Sequence, residues 1–106
     1  MTGLNDPILP GPGATDYERY LRTDELLALQ KAPDAMAHRD ELLFQTIHQS
    51  SELWMKLACF ELETVVGHLQ ADRLAPVARL LRRAVAALDQ VSGATLMLEH
   101  LAPWDY

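Results

Sequence analysis

Residues 36 to 70 place apolar side chains at helical spacing on more than one side, and nothing else in the chain constrains its fold as strongly. One stripe runs through Leu43, Ile47, Ser50, Trp54, Leu57, Glu61, Thr64 and His68. Leu42, Leu53, Phe60, Leu62, Val65, Val66 and Leu69 cover most of the remaining circumference. A helix apolar on several sides is buried against more than one neighbour. At about 1.5 Å per residue, this one is a rod of about 50 Å. Its middle, Phe44 to Lys56, carries a histidine, an amide, two hydroxyls and a carboxylate in succession, from His48 to Glu52. A buried polar group left unpaired costs about 1–3 kcal/mol, so the run predicts a polar site inside a helical core.

The flanking segments complete an all-α pattern. Residues 1–14 hold three prolines and three glycines without periodicity and are expected to form a flexible arm or an extended segment. Thr15 and Glu18 fit a capping box, which opens a helix over about 16 to 31 with a possible break near Thr23 and Asp24. Ala32-Pro33-Asp34 is a connection, because proline disfavours helix in the residue before it. Gly67 weakens the long helix near its end. Pro76 suits the first turn of a further helix, whose stripe is Leu74, Val77, Leu81, Ala84, Leu88, Val91, Thr95 and Leu98, with Pro103 as its stop. There is no strand alternation and no repeat. Two long antiparallel helices and one shorter one follow, in a helical domain over 15–106. The long helix asks for more apolar partners than the chain supplies, so the expectation is a piece of a larger bundle or an obligate oligomer.

Composition narrows the classes. Hydrophobic residues make up 49% of the 106, which argues against disorder, and no apolar run reaches the roughly 18–20 residues of a membrane span. The start of the chain lacks the basic and apolar regions of a signal peptide. A net charge of −6 argues against a nucleic-acid surface. Cys59, the single cysteine, is expected in the core. A reducing, cytoplasmic setting follows from these features.

His48 leads the candidate chemistry, as a metal ligand, a proton carrier or a hydrogen-bond partner, against the plainer role of a satisfied core group. Glu52 either orients it or pairs with Lys56 one turn on. Zinc is poorly supported by one cysteine and no His-Glu-x-x-His, and a di-iron bundle would need a Glu-x-x-His motif on two helices. His38 and His68 read as solvated or helix-end residues, and His100 as a helix C-terminal residue favoured by the dipole. Phe44, Tyr17, Tyr20 and Trp54 are core aromatics or the lining of an aromatic pocket.

Three segments, taken in order, resemble the N-terminal part of tryptophan 2,3-dioxygenases, haem enzymes that open the indole ring. Tyr17 to Gln30 is similar to the family pattern Tyr-Gly-x-Tyr-Leu-x-Leu-Asp-x-Leu-Leu-x-x-Gln. His38 to Phe44, leading into His48-Gln49-Ser50-Ser51-Glu52-Leu53-Trp54-Met55-Lys56, resembles His-x-Asp-Glu-x-Leu-Phe followed by His-Gln-x-x-Glu-Leu-Trp-x-Lys. Leu98 to Tyr106 resembles Leu-Glu-x-Met-Thr-Pro-x-Asp-Phe/Tyr. Glu18 stands where the first pattern has glycine, and His100 and Ala102 stand where the third has hydroxyl residues.

The resemblance implies the distal-side part of a helical bundle of the tryptophan and indoleamine dioxygenase type. His48 matches a distal histidine that hydrogen-bonds the indole N–H and is the implied catalytic residue. Phe44 matches a phenylalanine packed on the indole. Tyr17, Tyr20 and Leu21 match residues that a neighbouring subunit of a homotetramer contributes to the substrate site, and Tyr106 matches a tyrosine near the substrate carboxylate. Gln49, Ser50, Ser51 and Glu52 would tie the helix into the bundle. The implied cofactor is haem, with its proximal histidine expected beyond residue 106 and no metal ligand within the chain. The implied reaction joins O2 to L-tryptophan or a substituted indole, either cleaving the 2,3-bond to N-formylkynurenine, as in the kynurenine pathway, or inserting a single oxygen. The rival expectation is a non-catalytic helical oligomerisation module lacking haem. No nucleic acid or membrane partner is expected.

Overall fold

A computed structural model describes residues 6–101 of the chain, and these divide into two compact units between Met36 and Ala37. Every described element is helical.

In the first unit, α1 (Asp16–Leu21) and α2 (Thr23–Leu26) replace the single expected helix over 16–31. The break falls at Arg22, whose φ of 55° is left-handed, and its N–H closes α1 on the Glu18 carbonyl. Left-handed backbone cannot continue a right-handed helix. The Thr15 cap forms as expected, its Oγ1 accepting the Glu18 N–H at 3.2 Å. The Glu18 carboxylate reaches one residue further back than a capping box requires, accepting the Ala14 N–H at 3.1 Å. Neither helix buries a residue. A 3₁₀ turn, Pro33–Ala35, closes the unit.

The second unit is a helical hairpin. Here α3 (Glu41–Gln70) begins five positions later than the expected residue 36, because Met36 is extended and residues 37–41 form a hydrogen-bonded lead-in. Within it the His38 ring accepts the Asp40 N–H at 3.1 Å and the Glu41 carboxylate accepts the Ala37 N–H at 3.3 Å. The far end stops at Gln70 as expected, but Gly67 is not the cause. Asp72 adopts φ 55°, the Arg73 N–H returns to the His68 carbonyl at 2.8 Å, and the Asp72 N–H returns to Leu69 at 3.2 Å. These two bonds form a Schellman stop with aspartate in the position usually held by glycine. The Arg73 Nε also donates to His68 Nδ1 at 3.1 Å.

After the turn, α4 (Val77–Leu96) runs back along α3, with Pro76 at its N-cap, and passes into a 3₁₀ turn, Met97–His100. The helix expected to continue to Pro103 therefore tightens after Leu96, and Pro103 lies outside the described residues.

The seam between α3 and α4 is made of small side chains. Ala58, Ala84 and Ala87 are buried together, with Leu57 packed beside them. Alanines let two helices approach closely, so the buried row follows them. On α3 it is Ile47, Ser51, Ala58, Glu61 and Val65, rotated by about one residue from the expected stripe, which shares only Ile47 and Glu61 with it. On α4 it is Leu80, Ala84 and Ala87, and the expected Leu81 and Leu88 are exposed beside the seam. Cys59, expected in the core, is exposed as well.

Candidate functional site

The polar run at the centre of α3 is not buried as a block. Only Ser51 is buried; Gln49 and Ser50 are half-buried, and His48 and Glu52 are exposed. Two hydroxyls, of Ser50 and of the preceding Thr46, need no distant partner because they bond to the helix itself. Ser50 Oγ donates to the Ile47 carbonyl at 3.1 Å, and Thr46 Oγ1 donates to Leu42 at 2.7 Å. Glu52 and Lys56 form no ion pair among the described residues, so the expected i,i+4 pair is absent.

His48 and Phe44 form one structural element. They stand one turn apart on α3, so their side chains meet. Their ring centroids are 4.2 Å apart with planes inclined by 30°. His48 Nδ1 lies 2.7 Å from the Phe44 carbonyl oxygen. A carbonyl only accepts, so Nδ1 carries the proton and donates it to that bond. In the neutral ring, Nε2 is then the acceptor, with its lone pair directed along the ring axis away from the backbone. Helix geometry thus fixes the tautomer, and the stack with Phe44 fixes the ring plane. The result is an exposed ledge offering one hydrogen-bond acceptor beside one aromatic face, suited to a flat ligand that carries an N–H.

On the first unit, Tyr17, Tyr20 and Leu21 lie along α1 and are 69%, 77% and 44% exposed. Tyr17 and Tyr20 are three residues apart and share one helix face. Tyr106 lies outside the described residues. His68 is engaged with Arg73, and His100 is exposed on the final 3₁₀ turn. Among the described residues no three histidine, cysteine or acidic side chains converge as a metal cage would require.

Two arrangements were not anticipated from the sequence. Glu61, only 3% exposed, faces Arg83 across the seam at 3.5 Å. Its place on an apolar stripe is the signal of a buried charge, but Arg83 does not belong to the α4 stripe and carries no such signal. Asp16 and Arg19 hold the segment before α1; their i,i+3 spacing after a proline-glycine run was the available signal.

The family model for tryptophan 2,3-dioxygenase matches residues 8–106. The chain belongs to the tryptophan 2,3-dioxygenase family. Curated relatives agree: a tryptophan 2,3-dioxygenase of Xanthomonas campestris pv. campestris (strain B100) is 40% identical over 94 residues, 89% of this chain and 32% of the relative. The tryptophan 2,3-dioxygenases of Xanthomonas oryzae pv. oryzae (strain PXO99A) and Myxococcus xanthus (strain DK1622) match to the same identity and coverage. The chain thus spans about a third (32%) of the length of the tryptophan 2,3-dioxygenases it matches. No solved structure matches. No described helix is long and apolar enough to cross a membrane.

Proposed function

We propose that the chain supplies the indole-facing wall of a haem-dependent tryptophan dioxygenase acting in the cytoplasm as a homotetramer. The substrate is L-tryptophan or a related indole together with O2, and the outcome is 2,3-ring cleavage to N-formylkynurenine or insertion of a single oxygen. The observation that carries the reading is the His48–Phe44 ledge, where a fixed acceptor at Nε2 meets the chemistry of an indole N–H. His48 holds the indole by that proton, which stays on the indole nitrogen in this step. Phe44 packs beside the indole and restrains its plane. Tyr17, Tyr20 and Leu21 are contributed to the substrate site of a neighbouring subunit, and Tyr106 lies near the substrate carboxylate.

The imidazole of His48 and the phenyl of Phe44 would border haem on one side, and no residue of the chain is assigned as the iron ligand. When bound, haem supplies the O2 chemistry, and the protein groups supply orientation.

Titration of the purified chain with hemin, followed by reduction, tests the reading. The expected result is a saturable visible spectrum that shifts on adding L-tryptophan, with the tryptophan shift weakened by His48→Ala. A spectrum that does not saturate, or one indifferent to tryptophan, opposes it.

A second reading has its own support. Large apolar side chains, among them Leu53, Phe60, Val66 and Val85, are more than half exposed along both long helices. A haem-free helical oligomerisation module would cover them. A folded oligomer that takes up no hemin would favour this alternative.

A further inference from the structure

The first unit buries no residue in either of its helices, yet its backbone is held by a dense set of polar bonds. Asp16 Oδ1 accepts two consecutive N–H groups, from Ile8 at 2.7 Å and Leu9 at 2.8 Å. Arg19 spans the same segment, donating from Nε to the Gly13 carbonyl at 2.9 Å and from Nη1 to the Leu9 carbonyl at 2.8 Å. Glu18 accepts from Ala14, and Thr15 caps Glu18. Gly13 takes φ 120°, and a Cβ there would fall 2.9 Å from Glu18 Cβ. The segment over 8–14 is therefore folded back and fastened to one side of α1.

A six-residue helix does not persist alone in water, where isolated helices shorter than roughly 12–15 residues are marginal. Something must hold α1, and no apolar core does. Its polar side, Asp16 and Arg19, is used for the fastening. Its aromatic side, Tyr17 and Tyr20, is left outward. Bonds to charged partners such as these are among the stronger hydrogen bonds.

We infer that Asp16 and Arg19 are positioning residues, which fasten the preceding segment to α1 so that Tyr17 and Tyr20 reach the substrate as a pre-ordered aromatic pair. The inference rests on the proposal that these tyrosines line the tryptophan site. The two residues touch no substrate themselves. They act by removing conformational freedom that binding would otherwise have to remove.

The test measures L-tryptophan affinity by equilibrium dialysis against the hemin-loaded protein, and amide hydrogen exchange in the hemin-free protein, for Arg19→Ala, Arg19→Lys and Tyr17→Ala. Arg19→Ala is expected to weaken tryptophan binding about tenfold, by loss of pre-ordering. It is also expected to release the Ile8 and Leu9 amides, which Asp16 holds and Arg19 does not touch directly. Arg19→Lys keeps the charge but not the two-point geometry, and should recover part of both effects. Exchange within α3 and α4 should not change. If Tyr17→Ala leaves tryptophan affinity intact, the placement of the tyrosines at the substrate is wrong. Should Tyr17→Ala weaken binding while Arg19→Ala frees the amides without affecting affinity, the fastening is structural only and the positioning role is overturned. No tryptophan binding by the unsubstituted protein overturns both.

Discussion

At His48, one hydrogen bond decides what the side chain can do. A histidine on a helix can present either nitrogen, and the donation of Nδ1–H to the Phe44 carbonyl selects Nε2 as the outward acceptor. Nitrogen NMR of the neutral ring should place its proton on Nδ1 rather than on Nε2. Removing the ring by His48→Ala should weaken tryptophan binding about tenfold, the worth of one directed hydrogen bond of about 1.4 kcal/mol. An unchanged affinity would remove His48 from the site. A second local pair acts elsewhere. Arg22 donates to Glu25, and this bond holds the Glu25 carboxyl below its ordinary range and the guanidinium above its own. Because the folded-state carboxyl is depressed, the pair supports α2 above the ordinary glutamate range, and the support is lost as pH falls through the depressed value. Both groups are exposed, so salt should erase much of the effect. Carbon NMR titration of Glu25 in low and high salt checks this.

The long helices show what the residue pattern carried and what it did not. The existence of α3 and α4 and their antiparallel course follow from periodicity and from Pro76, whereas the stop at Gln70 is made by the Asp72 turn. Which face is buried does not follow. Periodicity weights a leucine above an alanine, whereas the contact between two helices is set by how closely their backbones approach. Ala58, Ala84 and Ala87 therefore occupy the seam, and Leu81 and Leu88 lie outside it. The same limit affected the candidate site. The adjacency of His48 and Phe44 was legible from their i,i+4 spacing, but the tautomer depends on a backbone oxygen that sequence does not display. Glu61 was visible as a carboxylate on an apolar stripe, and its partner Arg83 was not, because pairing across a seam depends on that seam's register. Arg83→Ala should strand the Glu61 carboxylate in the seam and destabilise the hairpin by about 1–2 kcal/mol, discounted for the half-exposed arginine. Combining it with Glu61→Met should recover most of that loss, since an apolar replacement of a buried pair is often neutral. Thermal or urea unfolding followed by circular dichroism measures both, and a double variant no better than Arg83→Ala would count against the pair.

For the whole molecule, the balance of buried and exposed apolar groups is the governing fact. The buried apolar side chains are Ile47, Ala58, Val65, Leu80, Ala84 and Ala87 among the described residues, and half of these are alanines. So small a core gives little hydrophobic stabilisation at roughly 25 cal/mol per Å² of buried apolar surface. Meanwhile Leu53, Phe60 and Val85 remain in water. Sedimentation of the chain should therefore give a species heavier than a monomer, and a stable, well-folded monomer would refute the need for further apolar cover. The Asp72 turn bears on a different matter, the order of events in time. It joins two helices that are consecutive in the chain, so their first contacts lie only a few residues apart near the bend. Low contact order favours fast folding. The pairing of α3 with α4 can close from the bend outward, like a zipper. His48 lies toward the end of α3 remote from the bend, so the turn that carries the ledge would be among the last parts of the hairpin to pair.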